Sequence, residues 1–154
     1  MTRLRTTLLS LFLLLSVIAC KKDDVVAVKT KTDIITGTTW QVQSASASGG
    51  LAVVYSRDLA NNGYDLSKVR LTFKADGTAS AIDNNGNSSS SGSWKFTNNE
   101  GSIELSNISF GGFSSGTLTI IQLTEKNFDF SSKASFPALG ISDIEATIKM
   151  TPAQ

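Results

Sequence analysis

The sequence predicts an all-β domain, an eight-stranded antiparallel up-and-down barrel, and three observations carry that expectation. Beyond Thr36, apolar and polar residues alternate with period two in short runs. Clusters of Gly, Asn, Asp and Ser separate the runs, and most neighbouring runs lie close enough to be joined as hairpins. Closing such a meander removes the unpaired edges that an open sheet exposes to water. A two-sheet β-sandwich satisfies the same alternation, and nothing local decides between the two architectures.

The chain opens differently. Arg3 and Arg5 precede an apolar stretch from Leu8 to Ala19, broken only by Ser10 and Ser16, which is the layout of a secretory signal peptide over residues 1–19. It is too short to span a bilayer, which takes roughly 18 or more apolar residues. Val17-Ile18-Ala19-Cys20 is similar to the bacterial lipobox, which implies cleavage before Cys20, a diacylglyceryl group on its thiol and an acyl chain such as palmitate on the new amino end. One acyl chain holds a protein to a membrane only marginally, at about 0.8 kcal/mol per buried methylene, whereas several chains anchor it stably. The acidic pair in Lys21-Lys22-Asp23-Asp24 resembles an export signal of surface lipoproteins in one Gram-negative phylum. The resemblance implies an outer-membrane address with display at the cell surface. Residues 20–36 read as a flexible tether with an r.m.s. span of about 22 Å, although Val25 to Val28 offer an alternative edge strand.

The domain expected over residues 37–154 has strands at about 38–45, 68–74, 77–83, 92–98, 101–106, 116–123, 126–132 and 143–150. Asp76-Gly77 supplies the positive φ of a three-residue hairpin loop with a bulge. Asn98-Asn99-Glu100-Gly101 marks a second hairpin, and Thr124 to Asn127 a third, with Asn127 suited to a left-handed conformation. Leu51-Ala52-Val53-Val54-Tyr55 fits no hairpin pattern, so helix, strand and lid all remain open for it. Pro137 makes residues 132–140 a loop, because proline cannot donate to a ladder.

Four segments, taken together, resemble the bacterial lipocalin-like lipoproteins: Ile35-Thr36-Gly37-Thr38-Thr39-Trp40-Gln41-Val42, Leu71-Thr72-Phe73-Lys74-Ala75-Asp76-Gly77-Thr78, Gly92-Ser93-Trp94 and Gly116-Thr117-Leu118-Thr119-Ile120-Ile121-Gln122-Leu123-Thr124. The resemblance implies a calyx open at one end, with the tryptophan of the first strand closing the other. It supports architecture more than activity. Gly37 and Trp40 stand three apart rather than two, and no arginine near the end of the chain is placed to cover the tryptophan, which leaves Lys149 as the substitute.

Composition excludes several function classes. Without Arg3 and Arg5 the formal charge falls from +1 to about −1, so there is no electrostatic footprint for nucleic acid. The chain has no histidine, and its one cysteine is assigned to the lipid, so thiol, imidazole and disulfide chemistry are unavailable. Carboxylates such as Glu104, Glu125, Asp129, Asp143 and Glu145 form no recognisable constellation, and Glu104 and Asp129 fall on the polar face of their strands. The expectation is a non-enzyme without cofactor. Asp83-Asn84-Asn85-Gly86-Asn87 imitates a calcium loop, but its glycine is at the fourth position instead of the sixth and Trp94 stands where the bidentate glutamate belongs, so no metal is expected.

Trp40, Phe73, Trp94, Phe96, Phe128 and Phe130 share the face that a barrel turns inward. They read either as core packing or as the lining of a cavity for a small apolar or amphipathic ligand. Phe110 and Phe113 flank Gly111-Gly112 in a segment without alternation, which reads as a mouth lid or as a long loop with its rings tucked down. Two functions follow as expectations: a lipid-anchored monomer that binds a small ligand, or a scaffold whose surface engages another envelope or extracellular protein.

Overall fold

The period-two runs become strands. In the computed structural model, which describes residues 28–47 and 50–154, the elements are helix α1 (Lys31–Thr36) and strands β1 (Thr39–Ala47), β2 (Ala52–Ser56), β3 (Arg70–Phe73), β4 (Thr78–Ile82), β5 (Ser88–Thr97), β6 (Ser102–Ser106), β7 (Gly116–Leu123), β8 (Phe128–Phe136) and β9 (Ile141–Pro152). A 3-10 turn over Pro137–Leu139 joins the last two strands. The leader, Cys20 and all of the tether segment before Val28 lie outside the described residues.

All strand pairs are antiparallel, and the ladder runs β2-β1-β3-β4-β5-β6-β7-β8-β9. The ends meet: β1 also pairs with β9, from Trp40 opposite Pro152 to Ala47 opposite Ala146. Eight strands, β1 and β3 to β9, therefore form a closed up-and-down barrel, and the continuous ladder excludes the sandwich. The other edge of β1 is divided. Its first residues, Thr39 to Gln41, pair with β3, and Ser44 to Ala47 pair with β2. The Leu51 to Tyr55 segment thus contributes an extra strand laid on the upper half of β1.

Where β1 changes partner, backbone groups lose their ladder. Arg57 fills this junction: its Nε and Nη2 donate to the Val42 carbonyl at 3.2 and 3.1 Å, Nη2 also donates to the Ser67 carbonyl at 3.0 Å, and its backbone N–H donates to the Gln43 carbonyl at 2.9 Å. The arginine replaces with one side chain the partners that a neighbouring strand would supply.

The turns follow their residue types with two exceptions. Gly77 takes φ 83°, and Asp76 binds the backbone and hydroxyl of Thr78. At the second hairpin Asn98, Asn99 and Glu100 are all left-handed, which asparagine tolerates and glutamate does not. At the third hairpin the expectation for Asn127 fails: it is not left-handed, because the Thr124 hydroxyl accepts the N–H groups of Lys126 and Asn127 and closes the turn without a positive φ. In β7 the ladder slips between Ile120 and Gln122, so Ile121 is an extra residue turned to solvent and Leu123 returns toward the core.

The tether reading also changes at its end. Residues 31–36, expected as mobile chain, form α1, started by a reciprocal cap in which the Thr30 hydroxyl accepts the Asp33 N–H and the Asp33 carboxylate accepts the Thr30 N–H. Ile35 is fully buried. The helix touches β3 and β7, which stand opposite each other around the ring of eight, so it lies across one end of the barrel.

Candidate functional site

Inward-facing side chains alternate along every strand, so a closed barrel collects one residue in two at its centre. The interior holds Trp40, Val42, Ala45 and Ala47 from β1, Leu71 and Phe73 from β3, and Phe128, Phe130 and Phe136 from β8, with Ile148 and Met150 from β9, all within one apolar cluster. Small residues offset the large ones. Ala79 and Ala81 of β4 stand opposite Phe73 and Leu71, and Ala45 stands opposite Tyr55.

The rings form an unbroken chain of ten. From Phe96 it runs through Trp94 (5.3 Å between centroids), Phe73 (5.2 Å) and Phe128 (5.9 Å), where Trp40 joins at 5.6 Å. It continues to Phe130 (4.9 Å) and Phe113 (6.1 Å), which stacks on Phe110 at 5.4 Å and meets Phe136 at 6.0 Å, and ends on Tyr64 (5.3 Å). Most of these contacts are edge-to-face, the arrangement that the ring quadrupole favours. All eight aromatic residues singled out in the sequence are brought together here, and Phe136 and Tyr64 join them.

Both ends of the column are sealed. At the α1 end the indole N–H of Trp40 donates to the Ile35 carbonyl at 2.9 Å, and that of Trp94 to the Lys74 carbonyl at 2.8 Å. The Lys31 ammonium donates to the Glu100 carbonyl at 2.9 Å, and Lys29 pairs with Glu125, which pins the helix to two hairpin turns. Lys149 does not cover Trp40 as supposed: it lies exposed on the outer wall, opposite Asp129, and α1 provides the cover instead. Burial holds the Asp129 carboxyl above its ordinary range, and Lys149 only partly offsets this.

At the other end the loop between β6 and β7 turns its rings down. Phe110 and Phe113 are buried, their backbones bridge each other, and the Gly112 carbonyl accepts the Ser135 N–H at 2.9 Å. Gly112 has φ 90°, and a Cβ there would stand 2.5 Å from the Ser135 carbonyl oxygen, so only glycine fits. Leu66 and Val69 pack against Gly111 from the connection between β2 and β3.

The main clefts on the described surface, of about 200 to 680 Å³, take no wall from Trp40, Phe73, Trp94, Phe96, Phe110, Phe128 or Phe130, and Phe113 alone of the eight borders one of them, a cleft of about 200 Å³ beside Ser135 and Asp143. Glu104 is paired with Lys95 at 2.9 Å on the outer wall. The Asp83 carboxylate accepts the N–H groups of Asn85 and Asn87, which makes it a turn-former, and these bonds hold its pKa low.

Residues 35–130 match the family model described as a lipocalin-like domain. Among solved structures, a lipocalin-like protein from Bacteroides uniformis ATCC 8492 is similar in shape, with a TM-score of 0.49 and 11% identity over 75% of this chain and 96% of that one. A comparison with curated proteins gives no match.

Proposed function

Since the chain belongs to the lipocalin-like domain family, we propose that it is a non-enzymatic binding domain, anchored to the outer membrane of a Gram-negative envelope through lipidated Cys20, that recognises its partner with its outer surface. Lipocalin-like domains are typically binding folds rather than enzymes. The observation that carries the outer-surface reading is the continuous column of ten rings, which occupies the space where a carrier holds its cargo.

A second reading, the carrier of a small apolar or amphipathic molecule, has one feature in its favour. Phe110 and Phe113 belong to a loop and not to a strand, so their departure vacates space without breaking the barrel ladder. Titration with an apolar fluorophore, followed through Trp40 and Trp94 emission, separates the two. No saturable change is expected for a surface-binding domain, whereas one-to-one saturation establishes the carrier. The anchor has its own test: labelling of cells with alkyne-palmitate should mark the protein and should not mark Cys20→Ser, and equal labelling of both would remove the membrane from this reading.

A further inference from the structure

The junction beside β1 places two arginines on the outer wall, where they satisfy backbone carbonyls and neither forms an ion pair among the described residues. Gln41 and Arg70 face each other across the β1–β3 ladder, turned away from the interior because their neighbours Trp40 and Leu71 point into it. The Ser67 carbonyl accepts from Nη2 of Arg57 at 3.0 Å and from Nη1 of Arg70 at 2.8 Å, so these two nitrogens are at most about 6 Å apart. Arg70 also donates from Nη1 to the Val69 carbonyl at 2.9 Å.

Backbone carbonyls thus fix both guanidinium groups without neutralising them. Among the described residues no carboxylate lies within 4.0 Å of either one. A guanidinium has five N–H bonds, and Nη1 of Arg57, with Nε and Nη2 of Arg70, has no partner among the described residues. Burial and the neighbouring Arg57 charge both hold the Arg70 pKa down, which marks two like charges kept close and partly dehydrated. The nearby carboxylates are engaged elsewhere: Asp58 by the Gln43 amide, and Asp65, which feels the Arg57 charge without pairing with it, by the Ser67 N–H at 2.8 Å. An anion would relieve the cost of this arrangement.

Both arginines line a cleft of about 680 Å³, together with Gln41, Gln43, Thr151 and Gln154. We propose that this cleft is a binding site for a hydrophilic carboxylate, its carboxyl group held by the free edges of Arg57 and Arg70 and its hydroxyl groups by Thr151 and by the amide oxygens of Gln41 and Gln43, whose Nε2 atoms donate to the Pro152 carbonyl and to Asp58. A planar carboxylate matches the fork of a guanidinium and accepts two parallel N–H bonds. The site lies on the outside of the barrel, so it is independent of whether the interior takes a cargo.

Calorimetric titration of the folded protein at low ionic strength tests the site with D-glucuronate as the charged probe and D-glucose as the neutral one. Glucuronate is expected to bind one-to-one and glucose not at all. Arg70→Gln should weaken binding at least tenfold, and Arg70→Lys by nearly as much, because an ammonium cannot fork. Arg57 also holds the strand junction together, so the second variant is Gln41→Glu, which leaves both arginines in place and puts a carboxylate opposite Arg70; it should abolish binding with an unchanged circular dichroism spectrum. Equal binding of glucose, unaltered affinity in Arg70→Gln or Gln41→Glu, or binding of inorganic phosphate but not of glucuronate would overturn the assignment.

Discussion

The two ends of this barrel are sealed by different devices. At one end a capped helix lies across the ring and is held through main-chain carbonyls, Ile35 to Trp40 and Glu100 to Lys31. At the other end a loop without regular structure folds in two stacked rings and depends on the shape of glycine at position 112. The helical seal ties its contacts to main-chain carbonyls at several separate points, whereas the loop seal meets the barrel through the Ser135 bond to Gly112 and otherwise rests on side-chain fit. Under denaturant, with no load on the chain, the first should therefore fail together with the barrel, and the second by itself.

Truncation at each end separates these behaviours most strongly. Trp40→Ala removes a fully buried indole and orphans the Ile35 carbonyl, and should cost about 3–5 kcal/mol in urea unfolding as one cooperative transition. Phe113→Ala should cost about 3 kcal/mol, but with faster hydrogen exchange concentrated in residues 107–115 and with new uptake of an apolar fluorophore. If uptake follows the Trp40 substitution instead, the two seals have been assigned the wrong way round.

Smaller changes sharpen the contrast at the helical end. Glu100 has φ 60°, so Glu100→Gly should stabilise the protein by about 1 kcal/mol; a loss of stability would show that the Lys31 contact depends on the glutamate. Acid acts there as well. The Thr30 hydroxyl and N–H hold the Asp33 carboxyl below its ordinary pKa, so its stabilising effect is present above the unfolded value and is lost as pH falls through the lower, folded one. Fraying of α1, followed by the amide signals of residues 31–36, is expected only below about pH 4, and fraying that begins near neutrality would contradict the capping role.

The same contrast explains what the sequence shows. The eight strands of the closed ring are legible because Val69 to Phe73, Trp94 to Phe96 or Phe128 to Phe130 alternate without interruption. α1 escapes notice because six residues with two adjacent isoleucines carry no helical period; the only signal is Thr30 followed at three residues by an acid, here aspartate instead of glutamate. β2 escapes because it pairs on one side only, so its Ala-Val-Val-Tyr run is not sorted into two faces. The interior aromatics could be named from alternation, but their end-to-end contact depends on the inward turn of Phe110 and Phe113, which no period encodes. Arg57 and Arg70 are separated by a connection without pattern, and only the change of partner along β1 brings them to one carbonyl.

The placement of α1 also determines how the domain bears mechanical load. A pull on the chain ahead of Thr30 reaches the helix first and meets contacts that open singly: the Lys29 ion pair, the Lys31 bond and then the Trp40 indole. Behind them β1 is laced along both edges, by β9 on one side and by β3 and β2 on the other. The helix would therefore peel away and lengthen the chain ahead of β1 before traction reaches the barrel, as a sacrificial link in series with a much stiffer body.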